Sequence, residues 1–198
     1  MNYRSDAVPS PIIAVEALLV EGANVPDEIS VNTTFNGISS GTTIYDVDPQ
    51  TFDASDPFRF VQRVDAPNLD GGMYDWTMTV TLDYGTSTEV VEFTGQQAVI
   101  NRTDSEFGVG WWLSGLDRLH VDSDGILLEN GDGSTFYFAE SAGGGYGKAV
   151  GDLDYATLVD NGVGSGFTLT DKWGGSRTFN DDGLILSVQR LNLSLIHI

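Results

Sequence analysis

The chain has 198 residues, 24 of them glycine and none cysteine, with 40% hydrophobic residues. That is long enough for one large or two ordinary domains, each burying a core without disulfides. Nine Lys and Arg against 29 Asp and Glu leave a formal net charge of −20, a field that repels phosphate backbones and argues against nucleic acid as a partner. In chain order, strands are predicted first over residues 12–20, 42–47 and 58–64, separated by Pro- and Asp-bearing loops. No stretch approaches the ~20 apolar residues that a membrane-spanning helix requires, and no basic-then-apolar leader opens the chain.

The clearest strand is predicted over 73–84. One parity carries Tyr74, Trp76, Met78, Val80, Leu82 and Tyr84, and the other carries Asp75, Thr77, Thr79, Thr81 and Asp83. Period two over that length gives one buried and one wet face. The next candidate, 88–101, is predicted to be interrupted at Gly95 by a bulge or short connection. Turn signals at this spacing predict an immunoglobulin-like or fibronectin-like β-sandwich over residues 1–101. Tyr74, Trp76 and Tyr84 are expected in its core, and an exposed row of them would instead signal a sugar-stacking face.

Beyond it, residues 102–190 read as a meander of short hairpins. Strands at 116–121 and 126–129 flank Asp122-Ser123-Asp124-Gly125, and Asn130-Gly131-Asp132-Gly133 leads into 135–138. Asp-Gly and Asn-Gly are strong hairpin turns. Residues 167–170 are expected to pair with 177–179 across Lys172-Trp173-Gly174-Gly175, and Asp181-Asp182-Gly183 turns into 184–188. Helix has support only as a short turn near 155–159. The fold class is therefore all-β, with exposed edges that call for neighbouring strands.

Three phrases in this half carry a resemblance. They are Phe107-Gly108-Val109-Gly110-Trp111-Trp112-Leu113-Ser114-Gly115-Leu116-Asp117-Arg118-Leu119, then Gly125-Ile126-Leu127-Leu128-Glu129-Asn130-Gly131-Asp132-Gly133-Ser134, then Gly175-Ser176-Arg177-Thr178-Phe179-Asn180-Asp181-Asp182-Gly183-Leu184. Together they resemble the segment that leads into the β-shell of large secreted bacterial RHS (YD-repeat) proteins. The resemblance covers roughly 101–188 and includes no YD repeat proper. It implies a structural, non-enzymatic piece of an extracellular or cell-surface protein, linking the sandwich to a hollow shell that encloses or displays an effector. Its partners would be downstream repeats of the same polypeptide. Phe107, Gly108, Gly110, Trp111, Trp112, Leu113 and Leu116 would be its packing anchors, with Phe107, Trp111 and Leu113 expected to be buried. Leu193-Ser194-Leu195-Ile196-His197-Ile198 resembles adapter read-through, and residues 191–198 are set apart as an artefactual or disordered tail.

The residues offer little catalytic machinery. No nucleophile elbow and no phosphate-binding glycine loop is assigned, and Gly108-Val109-Gly110 and Gly162-Val163-Gly164 read as turns. Of the two histidines, His197 lies in the tail and His120 is expected to be an outward-facing or satisfied strand residue. No catalytic residue and no cofactor is assigned. The acidity reads either as a solubility device in a salty setting or as calcium binding by Asp-rich turns. Calcium candidates are Asp122, Asp124, Asn130 and Asp132, an incomplete calcium-loop pattern without its closing Glu. The alternative functions are a carbohydrate- or calcium-dependent adhesion module and, third, a glycoside hydrolase fragment whose paired carboxylates sequence cannot single out among so many.

Overall fold

A computed structural model describes residues 2–3, 9–18, 24–47, 57–66, 68–149 and 155–190. All fifteen of its described elements are strands, so the fold is all-β. The chain divides into two compact units. One comprises Val8–Asn68 and Tyr74–Gln97, and the other Met1–Ala7, Leu69–Met73 and Ala98–Ile198.

Strand β1 (Asn2–Tyr3) belongs to the second of these. In the first, β2 (Ile12–Ala17) pairs with β5 (Phe58–Arg63), while β3 (Glu28–Phe35), β4 (Ile38–Asp46), β6 (Gly72–Asp83) and β7 (Thr88–Val99) form a sheet ordered β4-β3-β6-β7. The strand β3 is absent from the sequence reading, although Ile29, Val31, Thr33 and Phe35 alternate along it and are all buried. Asn36-Gly37 closes the β3–β4 hairpin with φ of 46° and 76°, the left-handed pair that a two-residue hairpin turn requires. The alternation expected in β6 is present, with Met78, Val80 and Leu82 buried. Gly95 does not interrupt β7. A Cβ there would lie 2.6 Å from Cζ2 of Trp76, so the glycine makes room for the indole.

The β2–β5 ribbon packs on this sheet through Ile13 and Phe60, and the rings of Tyr45 and Phe60 lie 5.9 Å apart. Gln62 of β5, buried between them, donates to the Val31 carbonyl and to Thr43 Oγ1, each at 3.0 Å. The result is a two-sheet arrangement whose strand order departs from the immunoglobulin one. There the second and third strands lie in opposite sheets, whereas the tight Asn36-Gly37 turn keeps β3 and β4 in the same sheet.

In the other unit β1 pairs with β8 (Trp111–Trp112). The strands β9 (Arg118–Val121), β10 (Gly125–Glu129) and β11 (Thr135–Ala139) form a sheet ordered β11-β10-β9. A sequential four-stranded meander follows, formed by β12 (Thr157–Asp160), β13 (Phe167–Thr170), β14 (Ser176–Phe179) and β15 (Ile185–Gln189). The hairpins fall where the Asp-Gly and Gly-rich turns predict them. The turn expected near 155–159 is instead the start of β12, where Leu158 is needed opposite Leu169 in the core. Central β10 is buried on both faces: Ile126 and Leu128 join Leu119, Phe138, Leu169 and Phe179, while Leu127 packs with Ile100 and Tyr137. The 191–198 tail lies outside the described residues.

Candidate functional site

The three phrases of the meander meet. The Leu119 N–H donates to the Gly183 carbonyl at 2.9 Å, and Arg118 bridges to Leu184. Gly183 has φ of 75°, and a Cβ on it would fall 1.9 Å from the Leu119 oxygen, so no larger residue fits this approach. Gly115 donates to the Gly131 carbonyl at 2.9 Å. Asp117 Oδ1 accepts from the Gly131 N–H at 2.8 Å, and its Oδ2 accepts from Arg177 Nη1, which also donates to Asn130 Oδ1 at 3.2 Å. Asp117, Asn130 and Arg177 thus tie one residue from each phrase into a partly buried network.

Next to Asn130 in the chain, Glu129 closes a buried polar triad with Arg102 and His120. Glu129, 2% exposed, ends the apolar run Ile126-Leu127-Leu128; one carboxylate oxygen pairs with Arg102 Nη2 and the other lies 3.1 Å from His120 Nε2. Burial pushes the Glu129 carboxyl up, but hydrogen bonds from His120 and Arg102 and the guanidinium charge outweigh it and hold the carboxyl below its ordinary range. Such a pair is tolerated in the interior because each charge is met.

A cleft of about 280 Å³ adjoins the triad, lined by Asp70, Asp104, Asp181 and Asp182 together with Arg118 and His120. Aspartates in a cleft are what a carboxylate-pair hydrolase uses. The imidazole is not offered as a base: Nε2 faces Glu129, and the Gly71 backbone packs so close that a Cβ there would fall 1.9 Å from Nδ1. The Arg118 guanidinium lies 5.3 Å from the Trp112 ring centroid. The cleft wall is therefore held by packing and pairing.

The calcium candidates do not converge. Asp122 and Asp124 occupy the turn at one end of β10 and Asn130 and Asp132 the turn at the other, and a five-residue strand at ~3.3 Å per residue keeps the two sets roughly 15 Å apart. Their oxygens serve the turns instead. Asp122 Oδ1 accepts from the Ser123 N–H at 2.7 Å, the Asn130 carbonyl accepts from Gly133 at 2.8 Å, and Asp132 Oδ1 accepts from the Ser134 hydroxyl at 2.7 Å and its N–H at 2.9 Å. The Ser134 hydroxyl and N–H hold the Asp132 carboxyl below its usual value. Among the described residues no three acidic or histidine side chains gather in a way that could hold a metal ion.

The anchors divide. Trp112 is 4% exposed, edge-on to Phe107 at 5.3 Å and donating to the Leu116 carbonyl at 2.9 Å, and Gly110 is buried. Phe107 and Leu113, expected to be buried, are only half-buried, as is Leu116, and Gly108 is exposed. Trp111, expected to be buried, is 39% exposed. Adjacent residues of β8 point to opposite faces, and the covered parity is that of Trp112. In the sandwich unit Tyr74, Trp76 and Tyr84 are all half-buried, with Tyr74 packed on Phe35 at 6.1 Å, so they form no exposed sugar platform.

One motif was passed over in the sequence reading. Gly37-Ile38-Ser39-Ser40-Gly41 has the spacing of a nucleophile elbow, yet it lies in a β-hairpin with no helix behind it. The Ser39 hydroxyl exchanges hydrogen bonds with the Asn32 amide at 2.8 and 3.2 Å. Arg102, Asp117, Glu129 and Arg177 also escaped notice as a set. The available signal was Glu129 itself, an acid closing an apolar strand, which requires a buried cation. No family model, curated protein or solved structure matches this chain.

Proposed function

We propose that this chain is a non-enzymatic structural segment of a large exported protein of the RHS/YD-repeat kind, joining a β-sandwich to the start of a repeat shell. The observation that carries this reading is the Asp117–Asn130–Arg177 network: the residues that make up the resemblance hold one another in place. Its location would be extracellular or at the cell surface, and its partners the downstream repeats, which would continue from the β15 edge of the meander, where Leu186 and Val188 are exposed. The test extends the chain with the genomic sequence that follows Val188. The expected outcome is YD repeats there, and an extended protein that melts higher and scatters less light than the short one. Equal stability and a monomeric short form would overturn the reading.

The aspartate-lined cleft favours a second reading, glycoside hydrolysis. Release of reducing ends from a polysaccharide by the purified chain, abolished by Asp181→Asn or Asp70→Asn, would establish it in place of the scaffold.

A further inference from the structure

At one end of the four-stranded meander three exposed side chains cluster. Tyr155 is 71% and Trp173 73% exposed, and the Lys172 ammonium lies 5.8 Å from the first ring centroid and 4.9 Å from the second. Large exposed rings cost solvation and contribute nothing to the core. The turn that presents Trp173 is nonetheless firmly built: Asp171 Oδ1 accepts from the N–H groups of Trp173 and Gly175 at 2.8 and 2.9 Å, and the Asp171 N–H donates to the Gly175 carbonyl at 2.9 Å. The indole is held out to solvent by a rigid support.

A polar strip begins beside it. The register places Thr157, Thr170, Ser176 and Gln189 in one row across β12 to β15, on the face opposite buried Leu158 and Leu169. At the ~4.8 Å spacing of neighbouring strands the row is ~14 Å long. None of its four side chains hydrogen-bonds to another described residue, whereas in the next row Thr178 pairs with Ser187 at 2.8 Å and Thr168 with Asn161 at 3.0 Å. The row lies at the end of the sheet where Tyr155 leads into β12 and the Trp173 turn joins β13 to β14.

We propose that Tyr155, Lys172 and Trp173, with the Thr157–Thr170–Ser176–Gln189 row, form a binding site for a neutral oligosaccharide. Aromatic faces cover the C–H faces of pyranose rings, and the ammonium and hydroxyls meet sugar hydroxyls. Neutral polymers fit because the net charge of −20 repels anionic ones. This site is independent of the scaffold role and lies away from the aspartate cleft residues.

The experiment is calorimetric titration of the full chain with cellohexaose, mannohexaose, laminarihexaose and chitohexaose, with a mannuronate hexamer as the anionic comparison. Saturable binding of at least one neutral hexasaccharide is expected, weakened about tenfold or more in Trp173→Ala and several-fold in Lys172→Gln, and unchanged in Trp111→Ala. Both platform side chains are exposed, so the variants should melt as the parent does. The proposal is overturned if no neutral hexasaccharide binds at about 10 mM, where even a millimolar Kd would show. Binding that survives Trp173→Ala, or binding of the mannuronate hexamer alone, would overturn it equally.

Discussion

The two units are specified by different means. The sandwich unit relies on apolar packing: Ile13, Ile29, Val31, Phe35, Phe60, Met78, Val80 and Leu82 fill the space between its sheets, and among its described residues the buried polar groups are the neutral Thr33 and Gln62. The meander unit has an apolar core too, but adds a buried carboxylate with two basic partners and a half-buried arginine network at its turns. An apolar core tolerates exchange of one hydrophobe for another of like volume. A buried charge does not tolerate loss of its partner. The meander, made of short strands that would slip easily in register, is thus pinned at a few polar points, whereas the long alternating strands of the sandwich fix their own register by burying one face.

The sharpest way to break this contrast is Glu129→Ala, which leaves Arg102 and His120 buried without their carboxylate and should cost about 3–5 kcal/mol. Gln62→Ala in the sandwich should cost only about 1–2 kcal/mol. Calorimetric melting of the two variants tests the difference, and equal costs would erase it. Next comes Trp112→Ala, expected to lose about 3 kcal/mol, against about 1 kcal/mol for Trp111→Ala, because only the former empties a covered site. Urea unfolding of both decides which face of β8 matters. Arg177→Met should lose about 1.5–3 kcal/mol by leaving Asp117 without its charged donor. Methyl NMR shifts of Leu128 should move in that variant and those of Met78 should stay.

Acid reaches Glu129 without mutation. Its native pKa lies below the ordinary 4.5, so the unfolded chain takes up the proton first as pH falls. The stabilisation is full above that ordinary value and is lost as pH drops toward the lowered native one. Near-UV circular dichroism across this window should show Trp112 losing its fixed environment. The smallest effect is expected at the turn aspartates: Asp122→Ala should shift stability by about 0.5 kcal/mol or less, and millimolar calcium should raise the melting temperature no more than its ionic strength does. A saturable calcium effect lost in Asp122→Ala would reopen the metal question.

Local rules made much of the fold legible. The parity of Tyr74 to Tyr84 announces β6, and Asp122-Ser123-Asp124-Gly125 and Asn130-Gly131-Asp132-Gly133 announce the hairpins that flank β10. Those signals are local because alternation and turn chemistry act over a few residues. Even so β3 went unread: a polar residue, Thr33, stands on its apolar parity between Val31 and Phe35, and the sheet buries it with them. Gly95 illustrates the reverse, since its meaning lies in Trp76 on the neighbouring strand.

The sequence by itself determined an all-β chain, its second half a run of short hairpins, with an acidic charge that disfavours polyanions. Only the tertiary structure decided that Trp112 and not Trp111 is covered, that Glu129 finds both Arg102 and His120, that the calcium candidates end up at opposite ends of β10, and that Tyr155 and Trp173 stand well exposed while Trp76 is half-buried. The reason is physical. Periodicity divides a strand into two faces without saying which one is covered, and the partner of a side chain distant in sequence is set by sheet register and packing, which no local pattern encodes.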